Sequence, residues 1–143
     1  MSDHYVDPTR EAFGAFAALP HDGPVQMLNL LRFRKMAAYE DGRAPRGGMS
    51  GADAYAEYAR ASAPFFQGVG GRLAWSGQPL AGVIGPPGEA WDAGFLAEYP
   101  SKDAFLSMVR DAGYQAIVHH RQAAVQDSRL YGFAPGEAGR VFG

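Results

Sequence analysis

At 143 residues the chain is the size of one domain, and 47% hydrophobic against 20% charged residues is the composition of a chain that buries a core. It has no cysteine, which excludes disulfides, thiol catalysis, iron–sulfur clusters and cysteine-based zinc sites and fits a reducing compartment, so a soluble cytoplasmic protein is expected. A net charge of −2 supplies no basic field for nucleic acid, Met1 to Asp7 do not read as a secretory leader, and no apolar run approaches the ~20 residues that cross a bilayer. Neither nucleic acid nor membrane is an expected partner.

In chain order, Asp7 and Pro8 open a first helix, Asp7 as its cap and Pro8 at the first helical position; Phe13, Phe16 and Ala17 share one face, and Pro20 stops it. These residues, 1–23, form an N-terminal extension to a core over residues 24–133. Val25 to Arg34 reads as a strand with Val25, Met27, Asn29, Leu31 and Phe33 on one side and Gln26, Leu28, Leu30, Arg32 and Arg34 on the other. Both sides are largely apolar, as in a central strand covered twice. Residues 35–50 collect Gly, Pro and charge and read as a long surface loop, either a lid or dimer arm or a tolerated insertion.

A second helix begins near Ala52, with Tyr55, Tyr58, Ala59 and Ser62 at helical spacing, a kink expected at Pro64 and a stop at Gly68, Gly70 and Gly71. Arg72 to Ser76 is the next strand, with Leu80 to Ile84 continuing it beyond a bend at Gly77, Gln78 and Pro79. After a turn at residues 85–88, Trp91, Ala93, Phe95, Ala97 and Tyr99 alternate with polar or small neighbours and form the clearest period-2 signal in the chain. Ser101 caps a third helix that Gly113 ends. Tyr114 to Gln122 reads as one more short helix and Val125 to Phe133 as the last strand, before a Pro/Gly-rich tail at residues 134–143. The core order of strand, helix, strand, strand, helix, strand is the split βαβ plan of an α+β, ferredoxin-like domain.

The stretches Asp53-Ala-Tyr-Ala-Glu-Tyr58, Gly70-Gly-Arg72, Tyr99-Pro-Ser101, Tyr114-Gln-Ala116 and Arg121-Gln-Ala-Ala124 resemble the family known as domain of unknown function 1330, in the dimeric α+β barrel superfamily. Asp7-Pro-Thr9, Met27-Leu-Asn-Leu30, Arg32-Phe-Arg34, Trp91-Asp92, His120-Arg121 and Asp127-Ser-Arg-Leu130 extend the likeness to nearly the whole chain. The resemblance implies a homodimer in which two sheets pack face to face with helices outside, which accounts for a first strand apolar on both sides. The superfamily includes cofactor-free monooxygenases, heme-processing enzymes, small-ligand isomerases and ligand-sensing domains, so the fold does not select a chemistry.

His120 beside Arg121, with Asp127 and Arg129 further on, offers a titratable base, a carboxylate to orient it and a fixed cation. The same four groups also suit a structural ion-pair network. His119 and His120 are neighbours on a helix, pointing about 100° apart, and no metal site is expected of them. Asn29 lies among Met27, Leu31 and Phe33, where a buried amide either orients a ligand or satisfies nearby backbone. Trp75, Trp91, Phe95, Tyr55 and Tyr58 line an apolar pocket or fill the core, and Arg32 meets a ligand carboxylate or an acidic side chain. No phosphate-binding loop, dinucleotide fingerprint or nucleophile elbow occurs, so no cofactor is expected. The expected function is binding of a small, largely apolar molecule in the dimeric barrel, as a cofactor-free enzyme with His120, Arg121 and Asp127 as its catalytic groups, or as a non-catalytic structural or ligand-sensing module.

Overall fold

The computed structural model describes residues 4–40, 44–45 and 47–137. Its elements are α1 (Arg10–Ala17), β1 (Val25–Phe33), α2 (Gly51–Gly68), β2 (Arg72–Gly77), β3 (Ala93–Tyr99), α3 (Lys102–Arg110), α4 (Ala112–Ile117), α5 (His119–Ala124) and β4 (Val125–Phe133). The strands hydrogen-bond in the order β2-β3-β1-β4, with every neighbouring pair antiparallel. Two β-α-β crossovers interleave to give that order, so the ferredoxin-like plan holds, with α1 added before it.

Period-2 alternation along the strands decides which side faces the helices. Val25, Met27 and Leu31 of β1, Ala97 and Tyr99 of β3 and Val125 of β4 are buried beneath the helices with Ala54, Met108, Tyr114 and Ala124. Leu31 and Val125 are fully enclosed, and burial on that scale contributes about 1.5 to 3 kcal/mol per aliphatic side chain. Among the described residues no helix covers the opposite side of the sheet. Register places Leu28, Leu30, Leu96, Trp75, Tyr131 and Phe133 there, and Trp75, Tyr131 and Phe133 are each at least half exposed.

Each main helix begins on a side-chain cap. Thr9, Ser50 and Ser101 accept from the backbone N–H three residues on, and Asp111 accepts from Gly113 and Tyr114. The cap of α1 is therefore Thr9 and not Asp7; Asp7 instead accepts a hydrogen bond from Gln122 at 3.3 Å. Leu80 to Ile84 form no strand, because Gly77 ends β2 and the chain leaves the sheet there. Leu80, Val83 and Ile84 are 94%, 92% and 97% exposed on a protruding arm.

β3 starts at Ala93 rather than Trp91, and Gly113 lies in the first turn of α4 rather than ending α3, since Asp111 in extended conformation breaks the helix first. The single helix expected over Tyr114 to Gln122 is two short ones meeting at Val118. α2 runs on through Pro64 to Gly68. Of the expected tail, residues 138–143 lie outside the described residues, as do 41–43 and 46 of the long loop. No helix among the described residues is long and apolar enough to cross a membrane.

Candidate functional site

The buried side chains gather into two groups, with the partly buried Phe95 of β3 packed against both. One buried group gathers Val25, Met27, Ala97, Tyr99, Met108 and Tyr114, and a second gathers Leu31, Ala54, Ala124 and Val125. Between Met27 and Leu31 on the helix side of β1 lies Asn29, directly opposite Phe95 of β3 and Leu130 of β4. None of the three is buried, and Leu130 is 41% exposed. A central-strand position facing helices is ordinarily sealed by a branched aliphatic side chain. Here the row Leu130, Asn29, Phe95 is instead left partly accessible, and this unsealed row is the notch. The Asn29 amide donates to its own strand's Met27 carbonyl at 3.1 Å, while its oxygen takes no protein donor among the described residues.

An aromatic ladder joins the two buried groups across the same level. Phe33 packs on Tyr55 at 5.2 Å between ring centres, Tyr55 on Tyr58 at 5.3 Å and Tyr58 on Tyr114 at 6.2 Å. The Tyr58 and Tyr114 hydroxyls share one hydrogen bond of 2.6 Å. Burial, then the neighbouring Tyr58, pushes the Tyr114 hydroxyl well above the ordinary tyrosine range, so it stays protonated. Arg121 of α5 approaches from the side. It donates to the Val6 carbonyl at 2.6 Å and to the Ser128 hydroxyl at 3.5 Å, and its charge acts on the hydroxyls of Tyr55 and Tyr114. Ser128 is the helix-side position of β4 next to Leu130, so Arg121 borders the notch.

The trio expected from the sequence is not assembled as a unit. His120 Nδ1 hydrogen-bonds the Tyr39 hydroxyl at 2.8 Å, and burial followed by the adjacent His119 pushes the imidazole below its ordinary pKa. Asp127 does not orient His120. One of its oxygens accepts from the Tyr5 amide, from the Ser128 amide and from Arg129, each at 2.9 Å. Burial opposes ionisation of Asp127, but these donors outweigh it and hold its carboxyl below the usual carboxylate range. His119 and His120 do not point apart either: His119 is only the first residue of α5, and the two rings stack at 4.1 Å. Among the described residues no three His, Cys, Asp or Glu side chains gather as metal ligands.

Arg129 lies on the other side of the sheet from the notch. Its guanidinium is held between the rings of Tyr5 and Trp91, 5.0 and 5.1 Å away, and pairs with Glu89 and Asp127. Arg32 donates to the Gly88 carbonyl at 3.5 Å, and Trp75 stands on the uncovered face. Of the residues singled out in the sequence, Asn29 lies in the unsealed row and Arg121 reaches Ser128 beside it; Tyr58 belongs to the aromatic ladder of α2, and Arg32, Trp75, Trp91, Asp127 and Arg129 lie elsewhere. Tyr39 and Glu89, which hold His120 and Arg129, come from irregular segments whose sequence carries no periodic signal. Leu130 was hidden by its ordinary strand character.

Residues 48–131 match the family described as a domain of unknown function, DUF1330. The chain belongs to this family. It is similar to RPA0582, a protein of unknown function from Rhodopseudomonas palustris. The methylated form is 48% identical, with a TM-score of 0.88 over 96% of this chain and 98% of that one. A second crystal structure of RPA0582 gives 47% identity and a TM-score of 0.87 over 94% and 99%. A Caulobacter crescentus chain proposed to be an antibiotic biosynthesis monooxygenase is 11% identical, with a TM-score of 0.51 over 81% and 92%, which is a likeness of fold alone. No curated protein matches the sequence. DUF1330 membership thus fixes the architecture, and the function has to be argued from the notch.

Proposed function

We propose that this DUF1330 protein binds a small, largely apolar molecule in the notch between its sheet and its helix layer, and that it does so as a homodimer. The observation that carries the reading is the unsealed row at Asn29. Three directly opposed side chains on the inner face of the sheet stay accessible, between Met27 and Leu31 of β1, which are both buried. Apolar walls with a single orienting amide are the usual make-up of a small-molecule site. Phe95 and Leu130 supply the walls and Asn29 the amide. Binding is favoured over proton transfer by His120, whose ring is engaged by Tyr39 and lacks the Asp127 partner that a catalytic pair would need.

The dimer is supported by the uncovered side of the sheet. Trp75, Tyr131 and Phe133, with Leu28, Leu30 and Leu96 between them, make an apolar face of a size that soluble monomers seldom leave open. A second copy turned by a two-fold axis presents the same face and closes both.

Titration of the uniformly ¹⁵N-labelled protein with indole tests the notch. Amide signals of Asn29, Phe95 and Leu130 are expected to move together, and Leu130→Trp, which fills the space with protein, is expected to abolish the shifts. Shifts confined to Trp75, Tyr131 and Phe133, or no shifts at millimolar indole, would sink the reading.

A further inference from the structure

We infer that the ligand carries a single carboxylate, its anionic end on Arg121 and its apolar body against Asn29, Phe95 and Leu130. This rests on the notch reading and adds the chemical class of what enters it. The first support is what Arg121 lacks. Among the described residues no carboxylate lies within 4.0 Å of the half-buried Arg121, whereas Arg129, also half-buried, pairs with two. A guanidinium offers five N–H groups, and here a backbone carbonyl and a hydroxyl at 3.5 Å are the acceptors. A partly desolvated cation facing only neutral acceptors leaves part of its electrostatic interaction unmet.

Position is the second support. Ser128, which Arg121 touches, is two residues from Leu130 on the same side of β4, a separation of about 7 Å along a strand. That is the span of one ring bearing one carboxylate. The nearest acid along β4, Asp127, points to the other side of the sheet and is committed to Arg129, so it does not compete.

Stoichiometry is the third. One guanidinium among aromatic and aliphatic side chains balances one negative charge, and its planar fork matches a carboxylate in two parallel hydrogen bonds. A phosphate dianion would call for more donors than Arg121 and its neutral neighbour Ser128 bring.

Benzoate and benzamide have one shape and differ by one charge, so ¹⁵N-detected titrations with both decide the matter. Benzoate is expected to bind at least about tenfold more tightly than benzamide, with both moving the Asn29 and Leu130 signals, and Arg121→Met is expected to erase the difference while leaving benzamide binding in place. Equal binding of the two by the wild-type protein, or a benzoate preference that survives in Arg121→Met, overturns the anion assignment and leaves the notch standing. Absence of any shift with either compound overturns the notch itself.

Discussion

Gly51 opens α2 at the most crowded backbone junction described for this fold. A Cβ built on it would lie 2.1 Å from the Arg34 carbonyl oxygen, 2.7 Å from the Arg34 nitrogen and 2.8 Å from the Ala124 carbonyl oxygen. All three atoms are backbone, so no side chain can turn aside. Ordinary contact needs about 3.5 Å, and Gly51→Ala must therefore force the start of α2 away from the end of β1 by more than about 1 Å. Two hydrogen bonds pass through this point, Gly51 N to Arg34 O at 3.0 Å and Arg34 N to Ala124 O at 2.8 Å. Their loss costs about 1 to 3 kcal/mol each, against a gain of about 1 kcal/mol from alanine's better helix propensity. The expected net loss is about 3 kcal/mol.

Urea unfolding followed by Trp75 and Trp91 fluorescence, at fixed protein concentration, should show the midpoint fall by at least about 1 M. Gly14→Ala is the matched control. Gly14 lies inside α1 with nothing within 4 Å of an added Cβ, and the same substitution there is expected to stabilise by about 0.5 to 1 kcal/mol. Equal midpoints for the two variants would refute the close-approach argument.

Two further outcomes follow from groups already described. In the unfolded chain the His120 imidazole takes its proton near the ordinary 6.5, whereas burial and His119 delay this to lower pH in the folded chain. Stability is then complete above that value and falls as pH drops through the folded pKa, so a pH series of thermal melts should show a decline below about pH 6.5 that His120→Gln flattens; an unchanged slope would refute the assignment. Light scattering at micromolar concentration should report a dimer for the wild-type protein and a monomer for Trp75→Asp, which puts a charge on the uncovered face in place of an exposed indole. A wild-type monomer would refute the face-to-face pairing.

How much of this was legible in the sequence depends on whether a signal was periodic. β3 announces itself by alternation, β1 by a run apolar on both sides, and α3 by the Ser101 cap and its apolar stripe, so the element order follows from residues alone. Leu80 to Ile84 misled because an apolar run looks like a strand whether it pairs within its own chain or waits for another surface. The split at Val118 was invisible, since two short helices in series keep nearly the periodicity of one.

The site was half legible. Asn29 stood out as a polar residue in an apolar strand, and Arg121 as part of a charged cluster. What could not be read was the partition of that cluster, because a β-strand sends Asp127 and Ser128 to opposite sides of the sheet and only the second meets Arg121. Adjacency in sequence suggested one constellation where the pleat makes two.

The segment from Tyr5 to Val6 lies along the free edge of β4, tied there by Tyr5 N to Asp127, Ser128 Oγ to the Tyr5 carbonyl and Arg121 to the Val6 carbonyl. At the other margin, the register of β2 against β3 shifts between Leu73 and Trp75, an irregularity that spoils the flat ladder another strand would need. With one border occupied and the other distorted, lateral growth of the sheet has no template to propagate from. In the proposed dimer, association would use the broad apolar side, where a symmetric pair closes the surface on both copies and stops at two instead of running on into a fibre.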